Sequence, residues 1–150
     1  MTEKLYLEDL AVGQAFRAGP VSLSAEEILR FAREYDPQVF HTDPEAAKES
    51  LFGGLVASGW HTAALTMRLI VESTPFAGGV VGRGGEINWP RPVRPGDTLR
   101  IEGRVTDIFA PRAGSERGLV LMETITFNQN DEPVQKLSAK LFVSARGGPA

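Results

Sequence analysis

Ser58-Gly59-Trp60-His61-Thr62-Ala63-Ala64-Leu65-Thr66-Met67-Arg68-Leu69-Ile70-Val71-Glu72 is a stretch whose residues, arranged as a helix, are apolar or small on nearly every side. Ser58 can cap it, and a helix of that kind belongs inside a protein rather than on its surface. His61, Thr62, Thr66 and Arg68 interrupt it, and it is too short to cross a bilayer. Downstream the texture changes to short β-prone runs at Val80 to Trp89, Thr98 to Phe109, Gly118 to Phe127 and Val134 to Ser144. Arg91-Pro92 with Pro95-Gly96-Asp97, then Pro111 to Gly114, then Asn128 to Pro133 supply the turns between them. Connections this short predict an antiparallel meander, since parallel crossovers need intervening helices. Upstream, Gln14 to Leu23 reads as a further strand, bent near Gly19-Pro20. One strand, helices and then four strands make an α+β chain in which an antiparallel sheet is wrapped around a buried central helix.

Between the first strand and that helix lies the densest cluster of reactive groups. Ser24 and Glu27 have the spacing of a capping box, and Ile28, Leu29, Phe31 and Ala32 recur at helical intervals, so Ala25 to Tyr35 is predicted helical. Pro37 disfavours the helical conformation at the residue before it, which places Asp36 at the helix-to-loop junction. Asp43, followed by Pro44 and Glu45, marks a new short helix, and His41 lies just ahead of it. A tight loop flanked by helix ends can hold Asp36 and His41 close enough to share a water molecule. Imidazole is the side chain that titrates nearest neutrality. Val39 and Phe40, if packed over Asp36, would raise its pKa by desolvation. On spacing alone the pair remains open between this chemistry and an ordinary helix end beside a hydrogen-bonded loop histidine. The turn Ala57-Ser58-Gly59 is open in the same way. The unpaired N–H groups of a helix start suit an oxyanion, Gly59 leaves its N–H unobstructed, and one such donor lowers a barrier by about 3 kcal/mol, yet many helices begin this way and bind nothing.

The totals exclude several classes. A chain of 150 residues has the size of one domain, and 42% hydrophobic with 23% charged residues is ordinary for a globular protein, so a single domain over 1–150 is expected. A net charge of -3 offers no positive field for a nucleic-acid backbone. The absence of cysteine removes disulfides, thiolate nucleophiles and Cys-ligated metal, and fits a reducing compartment. Glu3, Glu8 and Asp9 among the first ten residues are unlike an export signal, so a cytoplasmic protein without membrane segments is expected. His41, His61 and Asp43 match no established metal spacing, and no metal is expected. Gly82-Arg83-Gly84-Gly85 is followed by strand-like sequence where a dinucleotide loop needs a helix. No serine sits in a nucleophile-elbow setting.

Taken together, the two open features resemble a known family. Asp36-Pro37-Gln38-Val39-Phe40-His41-Thr42-Asp43-Pro44-Glu45-Ala46-Ala47 is similar to the D-x-N-P-x-H-x-D-P-x-x-A motif of MaoC-like dehydratases and (R)-specific enoyl-CoA hydratases. Val56-Ala57-Ser58-Gly59 resembles the small turn, usually A-H-G, that opens their central helix. Asn88 to Val93 and Gly96-Asp97-Thr98-Leu99 look like the family's strand and turns, so the resemblance spans nearly the whole chain. It implies the hot-dog fold and an acyl-CoA hydratase or dehydratase, with Asp36 and His41 catalytic and Gly59 holding the thioester oxygen. Ser58 and His61 are candidates for the same substrate pocket. It implies no cofactor beyond the CoA carried by the substrate, and a homodimer or higher homo-oligomer. Arg83, Arg91 and Arg94 are candidates for the CoA phosphates, because guanidinium suits phosphate oxygens. Pro37-Gln38-Val39 departs from the usual Asn-Pro loop, Ser58 stands where histidine is frequent, and Met67 stands where some members carry a hydroxyl. Hot-dog relatives also include thioesterases and non-catalytic acyl-CoA binders. The thioesterase carboxylate on the central helix has no counterpart here before Glu72.

Overall fold

A computed structural model describes residues 3–147. Its strands are β1 (Ala15–Ser22), β2 (Val81–Asn88), β3 (Thr98–Phe109), β4 (Arg117–Phe127) and β5 (Pro133–Ser144). Its α-helices are α1 (Ala25–Tyr35), α2 (Val39–Thr42), α3 (Pro44–Ala47) and α4 (Gly59–Ser73). The strands form one five-stranded sheet in the order β1-β3-β4-β5-β2, with every neighbouring pair antiparallel. β1 changes register between Ala18 and Val21, next to Gly19-Pro20, which is the bend expected there.

The expected meander holds for β3, β4 and β5 and fails for β2, which pairs with β5 at the far edge instead of with β3. The reason lies in residues 89–97, where Pro90, Pro92 and Pro95 remove backbone donors and favour an extended path. This segment crosses to the other side of the sheet instead of turning back as a hairpin.

On β3, Leu99, Ile101 and Val105 point inward, and Val120 and Met122 do the same on β4, as the two-residue period of a strand requires. Leu69 and Ile70 of α4 pack with Ile101 of the sheet. A separate cluster of Leu23, Ile28, Ala47, Leu55, Ala57, Val93, Leu99 and Val134 anchors α1, α3 and the loops around the candidate site. The central helix is less enclosed than its composition implied. Thr62, Thr66, Leu69 and Ile70 are buried, while Trp60, Met67 and Val71 are exposed, so only one side of α4 faces the sheet. Among the described residues no helix is long and apolar enough to cross a membrane.

α1 begins as the sequence predicted. Ser24 Oγ accepts from Glu27 N–H and Glu27 Oε1 accepts from Ser24 N–H, a complete capping box. Ser24→Ala removes the cap and is expected to lower stability by about 1 kcal/mol, measured by urea denaturation.

Candidate active site

Asp36 is the C-cap of α1, and its N–H donates to the carbonyl of Ala32. His41 lies within the one-turn helix α2, where an unstructured loop was expected, and is 5% exposed. Asp43 caps α3 through its carboxylate, with Pro44 in the first turn. These successive helix ends place His41 Nε2 3.3 Å from Asp36 Oδ2.

The other bonds of the pair decide its protonation pattern. His41 Nδ1 lies 2.6 Å from the carbonyl oxygen of Val56, which can only accept, so Nδ1 carries a proton. Nε2 is thereby turned toward Asp36 with its lone pair free of the Val56 carbonyl. Ser58 Oγ donates to Asp36 Oδ2 at 2.7 Å, and Gln38 Nε2 donates to Oδ1 at 2.6 Å. Burial raises the pKa of the Asp36 carboxyl, but the Gln38 and Ser58 donors and the nearby His41 together outweigh it and leave the value below the ordinary carboxylate range. The expected upward shift is therefore overturned. Val39 is 55% exposed and does not cover Asp36, while Phe40 packs against the rings of His41 and Phe52. Asp36 is thereby held in its ionised form, with His41 Nε2 facing it.

His41 and Gly59 line one cleft of about 330 Å³ with Phe52, Val56, Ala57 and Thr62. Its remaining wall is Trp89 to Val93, the segment that crosses between β2 and β3. Gly59 is the first residue of α4, so its N–H has no carbonyl to bind within the helix. Its missing side chain matters for a reason the sequence did not reveal. A Cβ at this position would meet Trp89 Cε2 at 2.7 Å, so the glycine makes room for the indole. Trp89 is held there by donating from Nε1 to the buried Gln135 Oε1 at 2.9 Å, and Trp60 packs edge to face against it.

The other candidates divide. Ser58 is fully buried, caps α4 by accepting from Trp60 N–H, and turns its hydroxyl toward Asp36. His61 lies outside the cleft, stacked on Phe31 with ring centroids 4.5 Å apart, in a depression lined also by Glu27, Arg30, Glu34 and Tyr35. Burial pushes its pKa down; Glu27 opposes that and Arg30 reinforces it. Its position one face further round α4 takes it away from His41. Of the three arginines, Arg91 lines the cleft and pairs with Glu132 at 3.1 Å. Arg94 donates to the Phe52 carbonyl at 2.8 Å and so braces the loop before Val56. Arg83 is elsewhere, in a depression with Arg112 and Arg117. Gln38, the Val56 carbonyl and Gln135 were not singled out as parts of the site. Gln38 had a signal, being a donor two residues past an acid, whereas the other two depend on contacts far apart in sequence.

A depressed carboxyl pKa stabilises the fold above the ordinary carboxylate range, and that contribution is lost as pH falls through the lowered value. In Gln38→Leu the Asp36 carboxyl is expected to titrate at higher pH, observed by carbon NMR, and the part of the acid-side loss of stability that Asp36 contributes is expected to shrink. An unchanged Asp36 titration would contradict the assigned role of Gln38.

Residues 9–125 match the family model described as MaoC like domain. YdeM of Bacillus subtilis strain 168, an uncharacterized protein, is 34% identical over 131 residues, which is 85% of this chain and 91% of YdeM. The crystal structure of the MaoC-like dehydratase from Rhodospirillum rubrum has a TM-score of 0.91 at 50% identity, covering 96% of this chain and 99% of that one. The (R)-hydratase from A. caviae involved in PHA biosynthesis has a TM-score of 0.74 at 26% identity, covering 91% and 98% respectively. With the family model matching across the acid–imidazole pair, the start of α4 and most of the sheet, this chain belongs to the MaoC-like hydratases and dehydratases and has their hot-dog fold.

Proposed function

We propose that the chain adds water reversibly to 2-enoyl-CoA thioesters, with Asp36 and His41 as the acid–base pair and Gly59 N–H as the oxyanion donor. The observation that carries this reading is the 3.3 Å approach of His41 Nε2 to Asp36 Oδ2 beside a cleft lined by both His41 and Gly59. A water held between carboxylate and imidazole gives its proton to Nε2 as its oxygen bonds to the β-carbon. The electron pair of the double bond moves toward the thioester, and negative charge develops on the carbonyl oxygen. A backbone N–H at a helix start suits that charge because it is fixed in place before the charge appears. The proton then passes to the α-carbon, and the reverse sequence is dehydration. Asp36 retains lone pairs for the water after accepting from Gln38 and Ser58, since each carboxylate oxygen has two.

The free edge of β2, with the exposed Met67 sharing a cavity with Gly82 and the exposed Trp60 packed on Trp89 just past the strand, supports a homodimer joined at this edge. Arg91, at the cleft, is the best placed of the three arginines for a CoA phosphate. The thioesterase reading gains no carboxylate from α4, because Glu72 is exposed and paired with Arg68 at 3.0 Å.

Asp36→Asn and His41→Ala are each expected to reduce crotonyl-CoA hydration by about 100- to 10,000-fold while the far-ultraviolet circular dichroism stays native, followed by loss of enoyl absorbance. Near-normal turnover in both would defeat the mechanism. Release of free CoA thiol would favour a thioesterase, and calorimetric binding without any change in absorbance would favour a non-catalytic binder.

A further inference from the structure

Thr62, Thr66 and Ile70 follow one another at one-turn spacing along the buried side of α4. Thr62 lines the cleft that holds His41 and Gly59. Ile70 lines a second cavity of about 120 Å³, walled by Met67, Val80, Met122, Leu137 and Leu141. Between the two stands Thr66, whose Oγ1 is 2.7 Å from Thr126 Oγ1 on β4, with Thr66 1% exposed and Thr126 fully buried. The inward row of β4 changes character at the same level, running from Val120 and Met122 to Thr124 and Thr126 as it approaches the cleft. Helix and sheet are thus latched by a hydroxyl pair that stands between the cleft holding His41 and Gly59 and an almost wholly apolar cavity.

Such a latch resists an alkyl chain. One hydroxyl donates to the other, and parting them leaves a buried donor and a buried acceptor without that bond, which an apolar chain cannot replace. Thr66 follows Gly59 by about two helical turns, roughly 10 Å of rise, and helix side chains lean toward the N-terminus, which shortens the available depth further. We infer that the Thr66–Thr126 pair is the end wall of the acyl site, that the substrates are short-chain enoyl thioesters, and that the cavity beyond is an extension the latch closes off. This inference rests on the hydratase reading. Thr66 and Thr126 act as specificity-determining residues and take no part in the proton transfers.

The test compares crotonyl-CoA with 2-decenoyl-CoA, and butanoyl-CoA with decanoyl-CoA by calorimetry, in the wild-type chain, Thr66→Ala and Thr126→Ala. The wild-type chain is expected to favour the short esters in both kcat/KM and affinity. Each alanine variant is expected to move the long-to-short ratio toward the long ester by about 10-fold or more, the scale of a methylene's worth of fit in an apolar pocket. The proposal alone is overturned if the wild-type chain hydrates crotonyl-CoA without discriminating by length, or if either variant folds and leaves the ratio unmoved. If neither variant folds, the wild-type length dependence decides. A chain that binds none of these thioesters overturns the hydratase reading and this proposal together.

Discussion

The hydroxyl of Ser58 ties the two halves of the site together. It accepts from Trp60 N–H at the start of α4 and donates to Asp36 at the end of α1, so one buried atom fixes the end of one helix to the beginning of another. A hydrogen bond to a charged acceptor contributes about 1.5–3 kcal/mol, more than a neutral one. The bond also sets the rotamer of the carboxylate, and through it the distance to His41. Val56, two residues before Ser58, holds the opposite nitrogen of that imidazole. A single short segment, Val56 to Gly59, therefore orients the Asp36 carboxylate, fixes the tautomer of His41 and presents a backbone donor at the start of α4.

Most of the architecture could be read from local signals. The capping box at Ser24, the Pro37 stop at Asp36, the Asp43-Pro44 start and the Ser58 start all stand where their chemistry put them, because capping depends on residues two or three apart. Strand locations followed from composition in the same way. Strand order did not, since nothing local to β2 says that its partner is β5. The prolines of residues 89–97 argued against a hairpin, but they carry no information on where the extended segment ends.

Within the site, identity was more legible than orientation. The acid, the imidazole and the glycine were readable from their motif, yet the direction of the Asp36 pKa shift depends on Gln38 and Ser58 reaching opposite oxygens of one carboxylate. His61, close to Gly59 in sequence, turns to Phe31 because adjacent helical residues lie about 100° apart around the axis. Gly59 was recognised, but the space it frees is taken by Trp89, a residue thirty positions away whose own anchor is Gln135.

The chain has two tryptophans, and they meet edge to face beside the cleft, with Trp89 forming part of its wall. Tryptophan emission from this protein, selected by excitation at the red edge where tyrosine does not absorb, therefore originates at the candidate site. A ligand entering the cleft meets Trp89, against which Trp60 packs, which gives the native sequence an optical probe of occupancy without any label.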